Sequence, residues 1–167
     1  MTTVLAIANQ KGGVAKTTST HALGVALAEL GRAVLLVDLD PQASLTWACG
    51  VDPDALEISI HDVMLKRVRA ADAILPLPTP EPREEGGRAG RLHLIPSTID
   101  LAGAELNLLT KTGREYVLRK ALSKVAADYD HVLVDCPPSL GILTINGLTA
   151  ADEVLIPLQC ESLSQRG

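Results

Sequence analysis

The stretch ANQKGGVAKTTSTHALGVAL, residues 8–27, decides the fold. It follows a short apolar run, VLAIA at 4–8, of the kind that forms a strand buried on both faces, and it opens a helical pattern that ends at Gly31. The standard phosphate loop reads G-x-x-x-x-G-K-[ST]. Its backbone N–H groups wrap phosphates, its lysine reaches the terminal ones and its hydroxyl binds magnesium. Lys16 and Thr17 satisfy the end of that pattern, while Gln10 and Ala15 stand in its two glycine places and Gly12 and Gly13 lie inside the loop. The pattern alone would reject the stretch. Its context supports it, because a helix that starts right after a strand offers free N–H groups and a partial positive charge to an anion. A polar helix start with no ligand is the plainer alternative, disfavoured by Gly12, Gly13 and Lys11 beside the Lys-Thr pair. On spacing alone, Lys11 reads first as a solvated loop lysine. Its other reading is a second cation that neutralises charge on transferred phosphoryl oxygens, as an arginine finger does.

Outward from the loop, Leu23, Leu27 and Leu30 form one stripe of the helix from Lys16 to Leu30, with Ala22, Val25 and Ala26 beside it. A strand AVLLVD at 33–38 follows, completing a right-handed parallel crossover. Residues 59–70 can form a helix. Residues 71–91 hold PLPTPEPREEGGRAGR and read as an exposed, flexible connector rather than a partner-binding motif. Further along come a strand LHLIPS from Leu92, a helix over 101–109 and an amphipathic helix over 115–129 with Leu118, Leu122 and Val125 on one face. A strand HVLVDC at 131–136, a helix over about 140–148 and a last strand EVLIPLQ at 153–159 complete the pattern. Such alternation predicts an α/β fold, a mostly parallel open sheet with helices on both faces.

The chain's 167 residues make a single domain, and a composition 47% hydrophobic but 2% aromatic builds the core from Ala, Val, Leu and Ile. A net charge of −5 and a pI near 5.3 exclude a general basic field, so any nucleic-acid contact needs a local patch. Cys49, Cys136 and Cys160 are odd in number and widely spaced, against a disulfide framework or a zinc site, and a cytoplasmic setting follows. No signal peptide and no apolar stretch of membrane-spanning length is present.

Asp135 ends an apolar strand, where a carboxylate can hold magnesium directly or through a water, or merely cap the next turn. Asp38 and Asp40 end the second strand, and either can cap the residues after Pro41. Cys136 reads as a small buried thiol, Trp47 as a packing residue, and His21, His61, His93 and His131 as structural or exposed.

ANQKGGVAKTT, VLLVDLDPQAS, IPSTIDLAGAEL, DHVLVDCPPSLGILTINGL and DEVLIPLQCE, in that order, make the chain resemble the ParA/Soj group of deviant Walker ATPases, which partition chromosomes and plasmids and are related to MinD. The resemblance implies a P-loop NTPase fold over 1–167, incomplete at the C-terminus, with ATP and Mg2+ as cofactors. It implies a nucleotide cradle of Lys11, Gly12, Gly13, Val14, Ala15, Lys16, Thr17 and Thr18. Lys16 would bind the terminal phosphates, Thr17 the magnesium ion, and Lys11 would cross to a partner subunit's nucleotide in an ATP-bound homodimer. Asp40 would position or activate the attacking water and would also be a metal-side residue, reaching magnesium through a water, and Asp135 would be the second magnesium-side carboxylate, directly or through a water. Gly12 would lie where the two subunits come closest, and residues 40–44 and 135–141 would be nucleotide-sensing switch loops.

The resemblance also implies a weak ATPase stimulated by a ParB-like partner, nonspecific DNA binding through residues beyond this segment, nucleoid association and no membrane. Ala15 departs from the family's commoner glycine, leaving loop geometry and turnover open. The alternative from another class is a nucleotide-binding module that does not hydrolyse ATP and associates with a full-length relative. A MinD-like membrane switch would need a C-terminal amphipathic helix, and a nitrogenase-iron-protein reading would need cluster cysteines.

Overall fold

The computed structural model describes residues 2–79, 81–82 and 88–159. Six strands form one sheet in the order β3-β4-β2-β5-β1-β6. Their ranges are β1 (Thr3–Ile7), β2 (Ala33–Asp38), β3 (Leu75–Pro76), β4 (Arg91–Ile95), β5 (His131–Asp135) and β6 (Glu153–Leu155). All neighbours pair in parallel except β3 with β4. The α-helices are α1 (Lys16–Glu29), α2 (Ser44–Ala48), α3 (Ile60–Met64), α4 (Leu101–Leu109), α5 (Val117–Leu122) and α6 (Ile142–Ala150). The mostly parallel sheet expected from the sequence is therefore present.

Each central strand sends alternate side chains to opposite faces, because the side-chain period is two. Leu35 and Val37 of β2, with Val132 and Val134 of β5, pack under α3, α4, α5 and α6. Val34, Leu36 and Leu133 pack under α1 and α2. β2 is buried along its whole length, which is why it reads as an unbroken apolar run rather than an alternating one.

Several expectations change in detail. The buried line of α1 is Lys16, Thr20, Gly24 and Ala28, not the leucine stripe. Gly24 lies so close to the sheet that a Cβ would stand 2.7 Å from Leu36 Cδ2. Leu23, Val25 and Leu27 flank this small-residue line partly buried, and Leu30 is 57% exposed. The amphipathic segment at 115–129 buries Leu118, Leu122 and Val125 as expected, yet it is not one helix. After α5 the bonds tighten to Lys124 N–H to Ala121 O and Val125 N–H to Leu122 O, leading to a short 3-10 turn, Ala126–Asp128. Tightening brings Tyr129 under the sheet, where its hydroxyl meets His93 Nδ1 at 2.7 Å, and lets Asp130 accept the Ala33 N–H.

Within 71–91 the chain is not a free connector throughout. A 3-10 turn, Ala70–Ala73, leads into β3, and Gly90 lies against the carbonyls of Ala28 and Arg32 with no room for a Cβ. Residues 80 and 83–87 of that segment lie outside the described residues. The last strand covers 153–155 rather than 153–159, and Trp47 is 57% exposed on α2 rather than packed.

Candidate functional site

The C-terminal ends of β1, β2 and β5 lie side by side, so the loops that follow them converge. Residues 8–15 leave β1, 39–43 leave β2 and 136–141 leave β5. Asn9 ties down the start of the first loop: its Oδ1 accepts the Lys11 N–H at 2.9 Å and its Nδ2 donates to Pro157 O at 2.9 Å. Gln159 Nε2 donates to Gly13 O at 3.0 Å from beyond β6.

Gly13 and Ala15 both adopt left-handed conformations, with φ of 74° and 63°. Alternation of this kind turns successive N–H groups toward one concavity, a common anion cradle. Ala15 is also the N-cap of α1: its carbonyl accepts the Ser19 N–H at 2.9 Å, and no side chain caps the helix start. The question raised by Ala15 is thus one of backbone angle, not of space for a methyl group. Ala15→Gly is expected to relieve strain partly offset by greater freedom of the unfolded chain, a net gain of up to about 1 kcal/mol. Urea unfolding measures it, and a loss of stability would show that the loop does not hold this angle in solution. A second alanine, Ala43, takes the same left-handed cap position ahead of α2, with φ of 52°.

Lys16 is the first residue of α1 and is 7% exposed. Its Nζ donates to Lys11 O at 3.3 Å, and it makes no ion pair among the described residues. A buried ammonium with one neutral partner at a helix N-terminus is a strong place for an anion. Lys11 is half-buried, and its side chain makes no ion pair among the described residues. Gly12 is exposed, and a Cβ there would meet nothing within 4 Å.

One turn into the helix, Thr17 Oγ1 donates to Asp135 Oδ2 at 2.7 Å and Thr20 Oγ1 lies 3.3 Å from Oδ1. Asp135 is buried, and burial pushes its carboxyl up to about 7, with the charges of Asp38 and Asp40 adding to the rise against the Thr17 and Thr20 hydrogen bonds. Hard oxygen donors side by side in a field of carboxylates suit a magnesium ion.

Asp38 and Asp40 part company. Asp38 stands level with Asp135 across the β2–β5 pairing and is fully buried. It accepts Thr46 N–H at 2.8 Å, Thr46 Oγ1 at 2.7 Å and Asp40 N–H at 3.1 Å, and burial raises it to about 6. Thr46 Oγ1 accepts the Ser97 N–H in turn, so Asp38 fastens α2 and the segment after β4 to the end of β2. Asp40 is only half-buried and accepts the Gln42 N–H, a turn-capping role. Its charge is nonetheless felt at Asp135.

The loop after β5 is held by Thr144 Oγ1, which donates to Ser139 O at 2.6 Å. Burial pushes the Cys136 thiol up to about 12, in keeping with an inert buried thiol. Cys49 is also a free thiol, and Cys160 lies outside the described residues. Sequence reasoning missed Asn9, Thr20, Thr46 and Gln159. Only Thr20 had a signal, four residues after Lys16 on the same helix face.

A buried strand, a glycine-bearing loop and a helix start that carries a buried lysine and presents a threonine to a strand-end aspartate define a phosphate-loop α/β protein. Residues 2–167 match a family described as an AAA domain, and the chain belongs to that family. Among relatives, the sporulation initiation inhibitor protein Soj of Bacillus subtilis is 44% identical over 164 residues, 98% of this chain and 61% of Soj. The crystal structure of a Mycobacterium smegmatis protein named cobyrinic acid a,c-diamide synthase, with bound ATP analog and magnesium, aligns at a TM-score of 0.89 and 54% identity. That match covers 100% of this chain and 64% of the neighbour. Apo McdA of Cyanothece aligns at a TM-score of 0.86 and 28% identity, covering 99% and 62%. These matches bear out the likeness to the ParA/Soj group. The chain spans 49% to 61% of the length of the curated relatives it matches.

Proposed function

We propose that the chain is the nucleotide-binding part of an ATP-dependent partition switch, which binds ATP with Mg2+, dimerises and hydrolyses ATP. The observation that carries this reading is Lys16, buried at the start of α1 without an ion pair among the described residues, one residue before the Thr17–Asp135 contact.

In this reading Lys16 and the N–H groups of residues 12–18 hold the phosphates. Thr17 Oγ1 and Asp135, directly or through a water, hold magnesium, which when bound neutralises phosphate charge. Asp40 orients the attacking water from the loop after β2. Lys11 lies on the loop's exposed flank beside Gly12, which suits a lysine that reaches a second copy's nucleotide. Residues 40–44 and 135–141 then report the phosphate state. A ParB-like stimulator, DNA binding through residues beyond this segment, and a cytoplasmic, nucleoid-associated location belong to the same proposal. Among the described residues no helix is long and apolar enough to cross a membrane.

Light scattering with ATP and Mg2+ tests the switch. The chain is expected to dimerise, Asp40→Ala to stay dimeric because ATP is not consumed, and Lys11→Ala and Gly12→Val to stay monomeric. Gly12→Val adds its side chain where this chain offers no obstacle, so a monomer there points to the partner surface rather than to misfolding. ATP-independent behaviour in all four would overturn the proposal.

A second reading, a module that binds nucleotide without turnover and associates with a longer relative, draws support from Val154, Ile156 and Leu158, which are 47%, 59% and 62% exposed around β6. ATP-dependent association without phosphate release would favour it.

A further inference from the structure

A groove of about 740 Å³ runs between α3 with its following segment and α5 with its following turn. It shares no lining residue with the nucleotide loop or with the loops after β2 and β5. Its floor is aliphatic: Val63 and Val117 are buried, and Val68 and Ala121 are half-buried. Its rims are basic. Lys66, Arg67 and Arg69 stand on one side and Lys120 and Lys124 on the other, all exposed.

Five of the chain's fifteen Lys and Arg residues thus line one cavity of a molecule whose net charge is −5, so the groove reverses the molecule's overall sign and calls for an anionic occupant. The one carboxylate in the lining, Asp72, is already taken: Arg69 Nε and Nη2 reach its two oxygens at 3.0 and 2.6 Å. Arg67 stands 3.5 Å from Asp62. Lys66, Lys120 and Lys124 make no ion pair among the described residues.

Lys66 supplies an independent observation. It ends α3 with φ of 60°, its N–H donating to Val63 O at 3.0 Å while the Arg67 N–H donates to Asp62 O at 2.9 Å. That bond pair is a helix-ending motif in which glycine normally occupies the left-handed position. A lysine there accepts backbone strain and in return places a cation on the rim. Strain retained in this way points to a use for the side chain.

The floor distinguishes between anions. Among the described residues no aromatic ring lines the groove, so nucleobases find no ring there to stack on, whereas valines and an alanine match a Leu, Ile or Val side chain. Lys120 and Lys124 are four residues apart on the α5 segment and line the same groove as Lys66 from the α3 segment, an arrangement that fits carboxylates on either side of an apolar anchor.

We infer that this groove docks an acidic amphipathic peptide segment of a partner protein, its apolar side chains on Val63, Val117 and Ala121 and its carboxylates on Lys66, Lys120 and Lys124. The inference stands apart from the nucleotide reading and needs neither ATP nor dimerisation.

Fluorescence anisotropy tests it with a labelled Glu/Leu peptide of about five helical turns, leucines spaced for one face, without nucleotide and at low salt. Comparison probes are a peptide of equal charge with serine for leucine, a Lys/Leu peptide and a short DNA duplex. The Glu/Leu peptide is expected to bind, and the Glu/Ser peptide and the duplex to bind about tenfold more weakly or not at all. The double variant Lys120→Glu, Lys124→Glu is expected to lose about tenfold or more in affinity while melting normally. Lys66→Gly removes the backbone strain, so it is expected to melt no lower than the parent and still bind severalfold more weakly. No binding of the Glu/Leu peptide, or equal binding by the charge-reversed chain, would overturn the inference. So would tighter binding of the duplex, which would mark a phosphate-backbone patch instead, or equal binding of the Glu/Ser peptide, which would mark a plain polyanion patch.

Discussion

Lys16→Ala is expected to abolish nucleotide binding at ordinary concentrations while leaving the chain folded. The ammonium is buried, and its one hydrogen-bond partner among the described residues is the Lys11 carbonyl at 3.3 Å. Truncating one member of a buried, hydrogen-bonded charge pair costs about 2–5 kcal/mol of binding, which is about thirtyfold to several-thousandfold in affinity. Stability should move little or rise, because the variant no longer buries a cation without a counterion. Calorimetric titration with a non-hydrolysable ATP analog and Mg2+, run beside a melting curve, measures both. Lys11→Ala is the contrast: a side chain without an ion pair among the described residues should leave monomer affinity near its parent value. Unchanged affinity in Lys16→Ala would remove the phosphate reading of the loop altogether.

Asp135→Asn carries the second large effect, and it acts on stability and function in opposite directions. The folded carboxyl titrates near 7, against an ordinary value of 3.8. Between those values the folded chain keeps a proton that the unfolded chain has released, so stability is greatest at low pH and declines as pH rises through the window. The difference of about three pH units amounts to something on the order of 4 kcal/mol for this group alone. Asp38 acts in the same direction, raised from 3.8 to about 6. The two carboxylates are neighbours across the β2–β5 pairing, so their contributions will not simply add.

The ligand-free chain should therefore unfold in less urea at about pH 8 than at about pH 5, by several kcal/mol. Asp135→Asn should flatten that profile and be the more stable protein at about pH 8, while losing Mg2+-dependent nucleotide turnover. Urea titrations across pH, paired with phosphate release, test the claim. A flat profile in the parent chain would mean that Asp135 is not held in the apolar setting the fold gives it.

Both predictions concern residues that the sequence alone marks as candidates, and the reason is local. Lys16 and Thr17 belong to a motif whose chemistry depends on adjacency along the chain, and Asp135 ends a short apolar run that reads as a buried strand. The same locality makes β2 and α4 legible over 33–38 and 101–109. Their signals, an unbroken apolar run and a helical period, need no partner to be read. The segment at 115–129 shows where this stops. Its apolar face follows from the period, but where the helix ends depends on Tyr129 and Asp130 meeting His93 and Ala33, residues that follow from sheet order rather than from local period. Trp47 fails for a related reason: apolar character alone does not say which face of a five-residue helix turns outward.

What the sequence by itself determined is the strand-loop-helix unit around residues 8–27, the α/β alternation and the set of candidate groups proposed to meet a phosphate and a metal. Periodicity and short-range motif chemistry suffice for these. Tertiary structure alone decided that Asp38 is buried as the anchor of Thr46 while Asp40 stays at the edge, although the two are the same residue type two positions apart. Strand register puts Asp38 level with Asp135 and leaves Asp40 in the loop beyond the pairing. Tertiary structure likewise revealed that Ala15 matters through its backbone angle, and it assembled the basic groove from segments some fifty residues apart. In each case the deciding quantity is a contact between distant parts of the chain, and no local pattern encodes it.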